Sequence, residues 1–425
     1  MNLILKNGRL FDPSTGRDQI GDVVIAEDRI RSLGRDIAVE GPGTLDCTGL
    51  IICPGFIDLH VHLREPGFEY KETIETGTLA AVAGGFTAVC AMPNTKPVND
   101  NAGTTSLLVA RSRELGNARV YPIGAISDGS KGESLAAIGD MHRAGVVGIS
   151  DDGRPVMNAQ ILRRAMEYAS MFHLPVIEHA EDLHLSAGGS MHEGAAALRL
   201  GLRGISGASE DTMVARDILL AEESGGHIHI AHLSTAGSVR LVRDAKARGV
   251  RVTAEVTPHH LTLIDEDVRD YDANFKMNPP LRTRLDREAV IAGLADGTID
   301  AIATDHAPHA AHEKQQEFNR APFGIIGLET ALPLVLRLVD AGRLTLARMV
   351  DALSCRPAAI FGLPGGTLEP GTVADITVFD PEQRWTCDPA QSKSKSRNTP
   401  FAGWEFKGRA SYTLVGGRVV YRAAP

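Results

Sequence analysis

The sequence predicts an α/β protein in which a (β/α)8 barrel of the TIM type carries a small, discontinuous β-sandwich domain. Three observations lead to this prediction. Short apolar, β-branched segments alternate with amphipathic segments of helical spacing, a pattern typical of βαβ units and a parallel sheet. No G-x-G-x-x-G or G-x-x-x-x-G-K-[ST] loop follows a strand, which disfavours the competing doubly wound open sheet. Both ends of the chain carry hairpin-like segments instead of this alternation.

The barrel is predicted to occupy residues 54–365. Eight strand–helix units over about 310 residues fit a barrel with some long loops, because such barrels usually take ~250 residues. The predicted strands are Ile51–Val61, Phe86–Met92, Arg119–Ala125, Val146–Ser150, Pro175–His179, Ile228–His232, Arg251–Val256 and Asp300–Thr304. The clearest helical segments between them are residues 73–85, 159–172, 209–224, 238–249 and 285–297.

The β domain is predicted to combine residues 1–53 with residues 366–425. Asn7-Gly8 is a hairpin-turn signal near the N-terminus, and Gly416-Gly417 is one near the C-terminus. The segments LKNGRL and LVGGRV around these turns are alike, so we expect them to form neighbouring strands of one sheet. The polar, Ser/Lys-rich segment of residues 389–404 is expected to be an exposed loop.

Composition limits the class of protein more than its function. The 425 residues are 43% hydrophobic and 23% charged, as in an ordinary globular protein with a large core. The net charge of −9 argues against a nucleic-acid or anionic-membrane partner. The N-terminal segment does not resemble a signal peptide, and no apolar run reaches membrane-spanning length. The five scattered cysteines, without a C-x-x-C motif, predict reduced thiols in a cytoplasmic protein.

The segment GFIDLHVHLREPG, residues 55–67, gives the first functional signal. On a strand, Asp58, His60 and His62 point to one face because side chains alternate with a period of two. Paired imidazoles on a rigid strand can form half of a metal site, since neutral histidine is a preferred ligand of zinc. Taken alone, the pattern fits a polar strand face equally well.

The ends of the other predicted strands carry residues of the same chemistry. Catalytic groups of such barrels lie at the carboxyl ends of the strands, so these residues should meet at one rim. They are His60 and His62, then Asp151 or Asp152, His179, His232, and finally Asp305 with His306 and His309. Four histidines and two carboxylates suit two cations with a bridging carboxylate better than one tetrahedral zinc. Such a pair lowers the pKa of a bound water toward ~7 and predicts metal-assisted hydrolysis of an amide or ester.

The remaining histidines are expected to have other roles. His306 is expected to form hydrogen bonds near the site, and His259 and His260 to pack or to support ligands. Those on the sixth strand, His227 and His229, are expected to be core or surface residues because their parity is opposite to that of His232. Solvated positions are expected for the helical and loop histidines, which are His142, His173, His184, His192 and His312.

Long motifs then give a specific resemblance. The segments DLHVHLREPGFEYKETIETG, AMPNTKPV, SDDG, TPHHL, KMNPPLR, ATDHAPH and APFGIIGLET resemble the bacterial type I dihydroorotase group of the amidohydrolase superfamily, almost end to end. The resemblance implies zinc-dependent, reversible cyclisation of N-carbamoyl-L-aspartate to L-dihydroorotate, the third step of pyrimidine synthesis. It also implies one or two zinc ions, a metal-bound hydroxide as nucleophile, and the ligands His60, His62, Asp152, His179, His232 and Asp305. Many relatives bridge their metals with a carboxylated lysine, whereas this chain has Asp152 there.

The same resemblance implies the substrate residues. Arg64, Asn94 and His309 would bind the substrate carboxylate, and His62 would lie beside them. Asn278 would hydrogen-bond the ring amide, and the backbone of Phe323 and Gly324 would contact the ring edge. Asp305 would act as general acid and base besides binding metal. Residues 310–321 would form either a mobile lid or a solvated loop.

Two alternatives to dihydroorotase activity stay open at this point. One is hydrolysis of another cyclic ureide, such as allantoin or a hydantoin, which Arg64 and Asn94 disfavour because those substrates lack a carboxylate. The other is a non-catalytic scaffold for aspartate transcarbamoylase, which the retained set of six ligands disfavours. The resemblance implies a homodimer, and it allows a functional association with aspartate transcarbamoylase.

Overall fold

The computed structural model describes residues 2–37, 43–115 and 117–424. The chain begins with strands β1 (Asn2–Asp12), β2 (Arg17–Ala26), β3 (Arg29–Gly34), β4 (Gly43–Asp46) and β5 (Ile51–Pro54). It continues with β6 (Phe56–Val61), β7 (Phe86–Ala91), β8 (Arg119–Gly124), β9 (Gly148–Ser150), β10 (Val176–Glu178), β11 (Met191–His192), β12 (Gly204–Ile205), β13 (Ile228–Ile230), β14 (Val252–Val256) and β15 (Ala301–Ile302). It ends with β16 (Ile376–Thr386), β17 (Glu405–Val415) and β18 (Arg418–Arg422).

Helices connect most of the strands in the middle of the chain. The α-helices of the described residues are α1 (Ile74–Ala83), α2 (Ala102–Leu115), α3 (Ile138–Ala144), α4 (Ala159–Ser170), α5 (Ala195–Leu200), α6 (Gly207–Ser224), α7 (Ala236–Ala247), α8 (Arg284–Asp296), α9 (Ala311–Lys314), α10 (Ala331–Asp340), α11 (Leu346–Val350) and α12 (Arg356–Phe361). Side-chain hydrogen bonds to the first turn explain where several of these helices begin. Thr73 begins α1 and Thr283 begins α8, each in a reciprocal capping box that satisfies free amide groups of the first turn.

Eight parallel strands form the predicted barrel. Their order is β6-β7-β8-β9-β10-β13-β14-β15, so each strand pairs with the next one of the sheet along the chain. A parallel bridge between Val61 and His306 joins the first strand to the segment after the last, and His62 N donates to His306 O at 2.9 Å. The largest apolar cluster packs the helices against these strands, and its members include Val89, Leu162 and Val242. The fold class predicted from the alternation is confirmed.

A second sheet is built from both ends of the chain. Its order is β18-β17-β16-β5-β1-β2-β3, with β4 beside β1, and most of its pairs are antiparallel. It therefore combines the two terminal regions assigned to the β domain, of which Met1, residues 38–42 and Pro425 lie outside the described residues. The turn at Gly416-Gly417 joins β17 to β18 as predicted.

Two predictions about this sheet are wrong. Asn7-Gly8 is not a hairpin turn, because β1 runs straight through it and pairs with β2 on both sides. The register shifts between Leu5 and Gly8, and Asn7 has a φ of 60°, so Lys6 and Asn7 form a bulge while Gly8 pairs with Gly21. LKNGRL and LVGGRV lie in one sheet but are not neighbours, since β5 and β16 separate β1 from β17.

The predicted strand Ile51–Val61 is divided at Gly55 into β5, in the terminal sheet, and β6, in the barrel. A Cβ atom at Gly55 would lie only 2.3 Å from Thr87 Oγ1, so only glycine fits where the chain passes from one sheet to the other. An ion pair also joins the two parts: Arg119 of the barrel donates twice to Asp375, at 2.6 and 3.0 Å. Among the described residues, no helix is both long and apolar enough to span a membrane.

Candidate metal centre and substrate pocket

The six predicted metal ligands meet at the carboxyl-terminal rim of the barrel. His60 lies in β6, and the others lie in the turns that follow β6, β9, β10, β13 and β15. All six are at most 7% exposed. The parallel strands explain the convergence, because each ligand lies at or shortly after the carboxyl end of its strand, and these ends lie at the same end of the sheet. The ligands are His60, His62, Asp152, His179, His232 and Asp305.

Asp152 occupies the centre of this cluster. Its Oδ1 atom lies 3.3 Å from His60 Nε2, 3.9 Å from His179 Nδ1 and 3.7 Å from His232 Nε2. Its Oδ2 atom lies 3.5 Å from His62 Nε2. One carboxylate thus faces His60 and His62, in and after β6, and also His179 and His232, which follow β10 and β13. This is the position required of a bridging ligand.

Asp305 lies against the first imidazole pair. Its Oδ1 atom is 3.0 Å from His62 Nε2 and 3.6 Å from His60 Nε2. On the other side, His179 Nδ1 is 2.9 Å from His232 Nε2. Two groups have ligand atoms within 4.8 Å of one another, one made of His60, His62 and Asp305 and the other of His60, Asp152 and His232.

The donor set fits metal ions. Two buried atoms that face the centre of the cluster, His60 Nε2 and Asp152 Oδ1, have no hydrogen-bond partner among the described residues. Buried polar atoms are rarely left unpaired, so this pair indicates a ligand at that point. Imidazole nitrogens and carboxylate oxygens together are the donors that zinc and similar cations prefer.

Asp151 has a different role from its neighbour. Its Oδ1 atom accepts hydrogen bonds from the backbone N–H groups of Ile126 and Ser127, at 2.8 and 3.1 Å. The Ser127 hydroxyl donates to its other oxygen. The carboxylate of Asp151 therefore ties the end of β9 to the loop after β8 and does not face the imidazoles.

The charges of the cluster are strongly coupled. Burial alone would lower the pKa of His60, but the carboxylates of Asp152 and Asp305 raise it well above its usual range. Burial alone would raise the pKa of both carboxyl groups, but His60 and the other imidazoles hold it well below its usual range. Both aspartates are therefore ionised at neutral pH, and the site favours a positive charge at its centre.

Outer partners fix which nitrogen each imidazole presents. Glu255 Oε1 accepts from His60 Nδ1 at 2.8 Å, and Asn94 Oδ1 accepts from His62 Nδ1 at 2.9 Å. Both histidines are thereby left with Nε2 as the nitrogen that can bind a cation. The second oxygen of Glu255 lies 3.2 Å from Nε2 of His229, a residue that is fully buried in the core.

A positively charged pocket adjoins the cluster. Arg64 follows His62, has a φ of 63°, and donates from Nε to Pro308 O at 3.2 Å. Its Nη2 atom lies 3.5 Å from His309 Nε2, and Lys71 Nζ lies 3.4 Å from His309 Nδ1. Burial and the nearby cations Arg64, Lys71 and Lys314 lower the pKa of His309 to about 2. Lys71 is also paired with Glu313, at 2.9 Å, so Arg64 beside the neutral imidazole is the cation of this pocket that favours an anion.

The predicted ring-binding residues lie beside this pocket. Asn278 Nδ2 is 3.3 Å from His179 Nε2. Phe323 O accepts from His309 Nε2 at 2.8 Å, so the neutral ring carries its proton there. Gly324 has a φ of 122°, and a Cβ atom would lie 2.6 Å from that of Ala307, so this close approach requires glycine. Its carbonyl accepts from Lys314 and from Asn398, at 2.9 and 3.0 Å.

Strained backbone accompanies the site. Arg64, His232 and Asp305 all have a φ between 33° and 63°, in the left-handed region that residues other than glycine rarely adopt. Such strain persists only where surrounding contacts impose it, and it clusters at functional sites. These three positions support the assignment of the rim as the functional region.

Sequence reasoning missed several residues that support the site. Glu255 could have been found from the sequence. Thr253 and Glu255 are two residues apart on a predicted strand, so both polar side chains point to one face of it. The segment 389–404 was expected to be exposed, but Ser394, Ser396 and Asn398 are buried. Asn398 donates to Ala307 O and accepts from His309 N, so this segment braces the substrate pocket.

The expectations for the other histidines were mostly correct. His306 is hydrogen-bonded near the site, since its Nε2 atom lies 3.2 Å from Glu72 Oε2. His259 and His260 are buried in the segment that follows β14, the seventh strand of the barrel, and His260 Nε2 donates to Pro279 O at 3.0 Å. His192 was expected to be solvated, but it is buried because the side chain of Arg282 packs on it, with 3.3 Å between Nη1 and Nδ1.

Comparisons with known families and sequences agree over the whole chain. A dihydro-orotase-like family model matches residues 49–238, and an amidohydrolase family model matches residues 194–421. A dihydroorotase from Syntrophotalea carbinolica is 55% identical, with 99% of each chain covered. A dihydroorotase from Geobacter metallireducens is 54% identical, with 99% of this chain and 100% of the relative covered.

Solved structures share the architecture. An L-hydantoinase from Arthrobacter aurescens superposes with a TM-score of 0.88 at 25% identity, covering 99% of this chain and 96% of its own. A D-hydantoinase from a Thermus species superposes with a TM-score of 0.84 at 27% identity, covering 99% and 95%. Because the superpositions cover almost the whole chain, the barrel and the sheet from both termini recur together in these hydantoinases.

Proposed function

The chain belongs to the dihydroorotase family of the amidohydrolases, and we propose that its rim site interconverts L-dihydroorotate and N-carbamoyl-L-aspartate with Asp305 as general acid and base. It is a hydrolase that acts on a cyclic amide. The observation that carries the proposal is the position of Asp305, whose Oδ1 atom lies 3.0 Å from His62 Nε2. Arg64, which lines the adjoining pocket, is buried close enough to Asp305 for the two charges to interact.

Zinc is the cation we propose for the site. His60, His62 and Asp305 would hold one ion, His179 and His232 would hold the second, and Asp152 would contact both. The unpaired His60 Nε2 and Asp152 Oδ1 atoms support this assignment. Bound cations would supply a water nucleophile of lowered pKa and would polarise the amide carbonyl.

Arg64 and Asn94 would bind the carboxylate of the substrate. A guanidinium group matches a carboxylate through two parallel hydrogen bonds. Because Asn94 Oδ1 already accepts from His62, its NH2 group is the part that remains to donate. His309 would join them through Nε2, which would exchange its bond to Phe323 O for one to the carboxylate.

The ring would be held on its other side by Asn278 and by the backbone at Phe323 and Gly324. This arrangement would direct the scissile amide toward Asp305. Contacts on both sides of the ring restrict its orientation, which is a large part of catalysis by positioning.

Asp305 would move the proton of the reaction. In the hydrolytic direction its carboxylate takes the proton that the attacking water loses, and delivers it to the amide nitrogen as the C–N bond breaks. In the synthetic direction it takes the proton from the ureido nitrogen. Burial would raise the pKa of Asp305, but His60 and His62 lower it, so the group is ionised and ready to accept.

A substrate panel tests this function against hydrolysis of other cyclic ureides. The zinc-supplemented enzyme should open L-dihydroorotate much faster than allantoin or a hydantoin, because only dihydroorotate carries the carboxylate that Arg64 binds. Arg64→Met should raise KM for dihydroorotate by about a hundredfold, consistent with ~2–5 kcal/mol for a truncated charge pair. Arg154→Met, a change in the loop after β9, is the control. Equal rates on all three substrates, or an unchanged KM in Arg64→Met, would reject the carboxylate clamp.

Three further properties are proposals of the same kind. A cytoplasmic location is supported by five free cysteines. A homodimer and an association with aspartate transcarbamoylase are supported by the family resemblance alone. Sedimentation of the purified protein, with and without the transcarbamoylase, tests both.

A further inference from the structure

We propose that Glu181 is a positioning residue that aligns the metal ligand His179 and the substrate residue Asn278 through a single carboxylate oxygen. The inference rests on the proposed function, since it assigns Glu181 to that same site. It adds a link between metal binding and recognition of the ring amide.

The geometry around Glu181 is specific. Its Oε2 atom lies 2.9 Å from His179 Nε2 and 2.8 Å from Asn278 Nδ2. The two nitrogen atoms are 3.3 Å apart and converge on that one oxygen. The Glu181 side chain is only 12% exposed, so the contacts are largely shielded from water.

The chemistry of a carboxylate decides what faces it. An ionised carboxylate only accepts hydrogen bonds, so both atoms opposite Glu181 Oε2 must be N–H donors. His179 therefore carries its proton on Nε2 and keeps the lone pair of Nδ1, the atom that faces Asp152 and His232. Asn278 donates with its NH2 group, which leaves its carbonyl oxygen to accept from the N–H of a substrate ring.

Both segments that carry these residues are held in place. Glu181 follows β10, and the next residue, Asp182, donates from its backbone N–H to Ser209 O at 2.8 Å. Asn278 precedes Pro279, whose carbonyl is bonded to His260 Nε2 at 3.0 Å. Glu181 thus joins two rigid segments from different parts of the rim.

Glu255 provides a matched control within the same chain. It also accepts from a metal-binding imidazole, at 2.8 Å from His60 Nδ1. Its second oxygen lies 3.2 Å from the buried core residue His229 instead of contacting a substrate residue. Loss of Glu255 should therefore weaken metal binding without any coupling to Asn278.

Two readouts test the proposal: zinc affinity by chelator competition, and KM for L-dihydroorotate. Glu181→Ala should weaken zinc binding by about 10–100-fold, as outer partners of metal ligands typically do. It should also raise KM about as much as Asn278→Ala does, and the double variant should raise KM no further than either single variant. Asn278→Ala alone should leave zinc affinity unchanged.

Glu181→Gln keeps the shape and one acceptor oxygen, so it should fold normally and recover most of the KM effect and part of the zinc affinity. Glu255→Gln should weaken zinc binding, and its effect on KM should multiply with that of Asn278→Ala. The proposal is overturned if Glu181→Ala and Glu181→Gln bind zinc like the wild type, or if their KM effects multiply with that of Asn278→Ala. The zinc measurement needs no substrate, so it tests the alignment of His179 by Glu181 even if the wild-type enzyme does not open dihydroorotate, a result that would instead reject the proposed function.

Discussion

Asp151 and Asp152 are adjacent in the chain but face different partners. Alternation and spacing left both as candidate ligands. The structure separates them, because two backbone N–H groups and the Ser127 hydroxyl satisfy Asp151, whereas Asp152 faces four imidazoles. At this scale, residue type and strand position predicted which side chains meet at the rim, but not the hydrogen bonds that distinguish the two carboxylates.

Substitution of these two aspartates should give opposite results. Asp151→Ala leaves buried N–H groups of Ile126 and Ser127 without an acceptor, so the free energy of unfolding should fall by about 1–3 kcal/mol. Asp152→Ala removes the carboxylate that faces four imidazoles, so it should abolish zinc binding and turnover, whereas Asp151→Ala should still bind zinc. Urea unfolding of the zinc-free proteins, together with zinc analysis, measures both effects. Loss of zinc binding in Asp151→Ala, or wild-type zinc binding in Asp152→Ala, would contradict the separate roles.

At the scale of elements, the order of strands and helices could be predicted and their ends could not. The strands are shorter than predicted because their polar ends turn into the rim, as where β13 ends at Ile230 instead of His232. The change of sheet at Gly55 depends on a contact with Thr87, which is remote in sequence. The segment 389–404 has no periodicity, so its burial against the rim through Ser394 and Asn398 left no signal in the sequence.

Helix α9 is attached to the substrate pocket by Lys314. Its ammonium group donates to Pro322 O and Gly324 O, both at 2.9 Å, and burial lowers its pKa to about 7. An unfolded lysine has a pKa near 10.4, so between pH ~7 and ~10.4 the unfolded chain binds more protons than the folded protein. The contribution of Lys314 to stability should therefore rise with pH across that window.

Urea unfolding of the wild type and Lys314→Met at pH 7, 8, 9 and 10 measures this contribution. The unfolding free energy of the wild type minus that of Lys314→Met should increase as the pH rises. Lys393→Met, a substitution of an exposed lysine in the segment after β16, serves as the control. A difference for Lys314→Met that is constant or falls with pH would contradict a lowered pKa in the folded protein.

The whole molecule consists of a barrel that carries the site and a sheet, built from both termini, that packs beside it. Motif similarity was sufficient to predict this plan and the dihydroorotase family. The family is confirmed by relatives at 54–56% identity that align over nearly the full length. The pairing order within the terminal sheet was not predictable, because β1 contacts β5 and not the similar β17 segment. Hairpin signals describe neighbouring residues, whereas that order depends on contacts between the two ends of the chain.

The ion pair between Arg119 and Asp375 should help to hold the barrel and the terminal sheet together. Asp375 is buried at 4% side-chain exposure and Arg119 is 33% exposed, so Arg119→Ala should lower the free energy of unfolding by about 1–3 kcal/mol, less than a fully buried pair would. Arg9→Ala removes a comparable pair with Asp18 in which both side chains are more than 40% exposed, and it should cost less than ~1 kcal/mol. Equal losses of unfolding free energy in Arg119→Ala and Arg9→Ala, measured by urea unfolding, would contradict a role for the Arg119–Asp375 pair in holding the two sheets together.

The ring opening of L-dihydroorotate by the zinc-supplemented protein tests the central claim most directly. The loss of ultraviolet absorbance gives kcat/KM for the wild type and for Asp305→Asn, with zinc content measured in both. We expect the wild type to turn over and Asp305→Asn to lose at least the roughly 10²–10⁴-fold that general acid–base catalysis supplies. A variant that retains wild-type turnover, or a zinc-loaded wild type that leaves dihydroorotate intact while it opens another cyclic amide, would contradict the account.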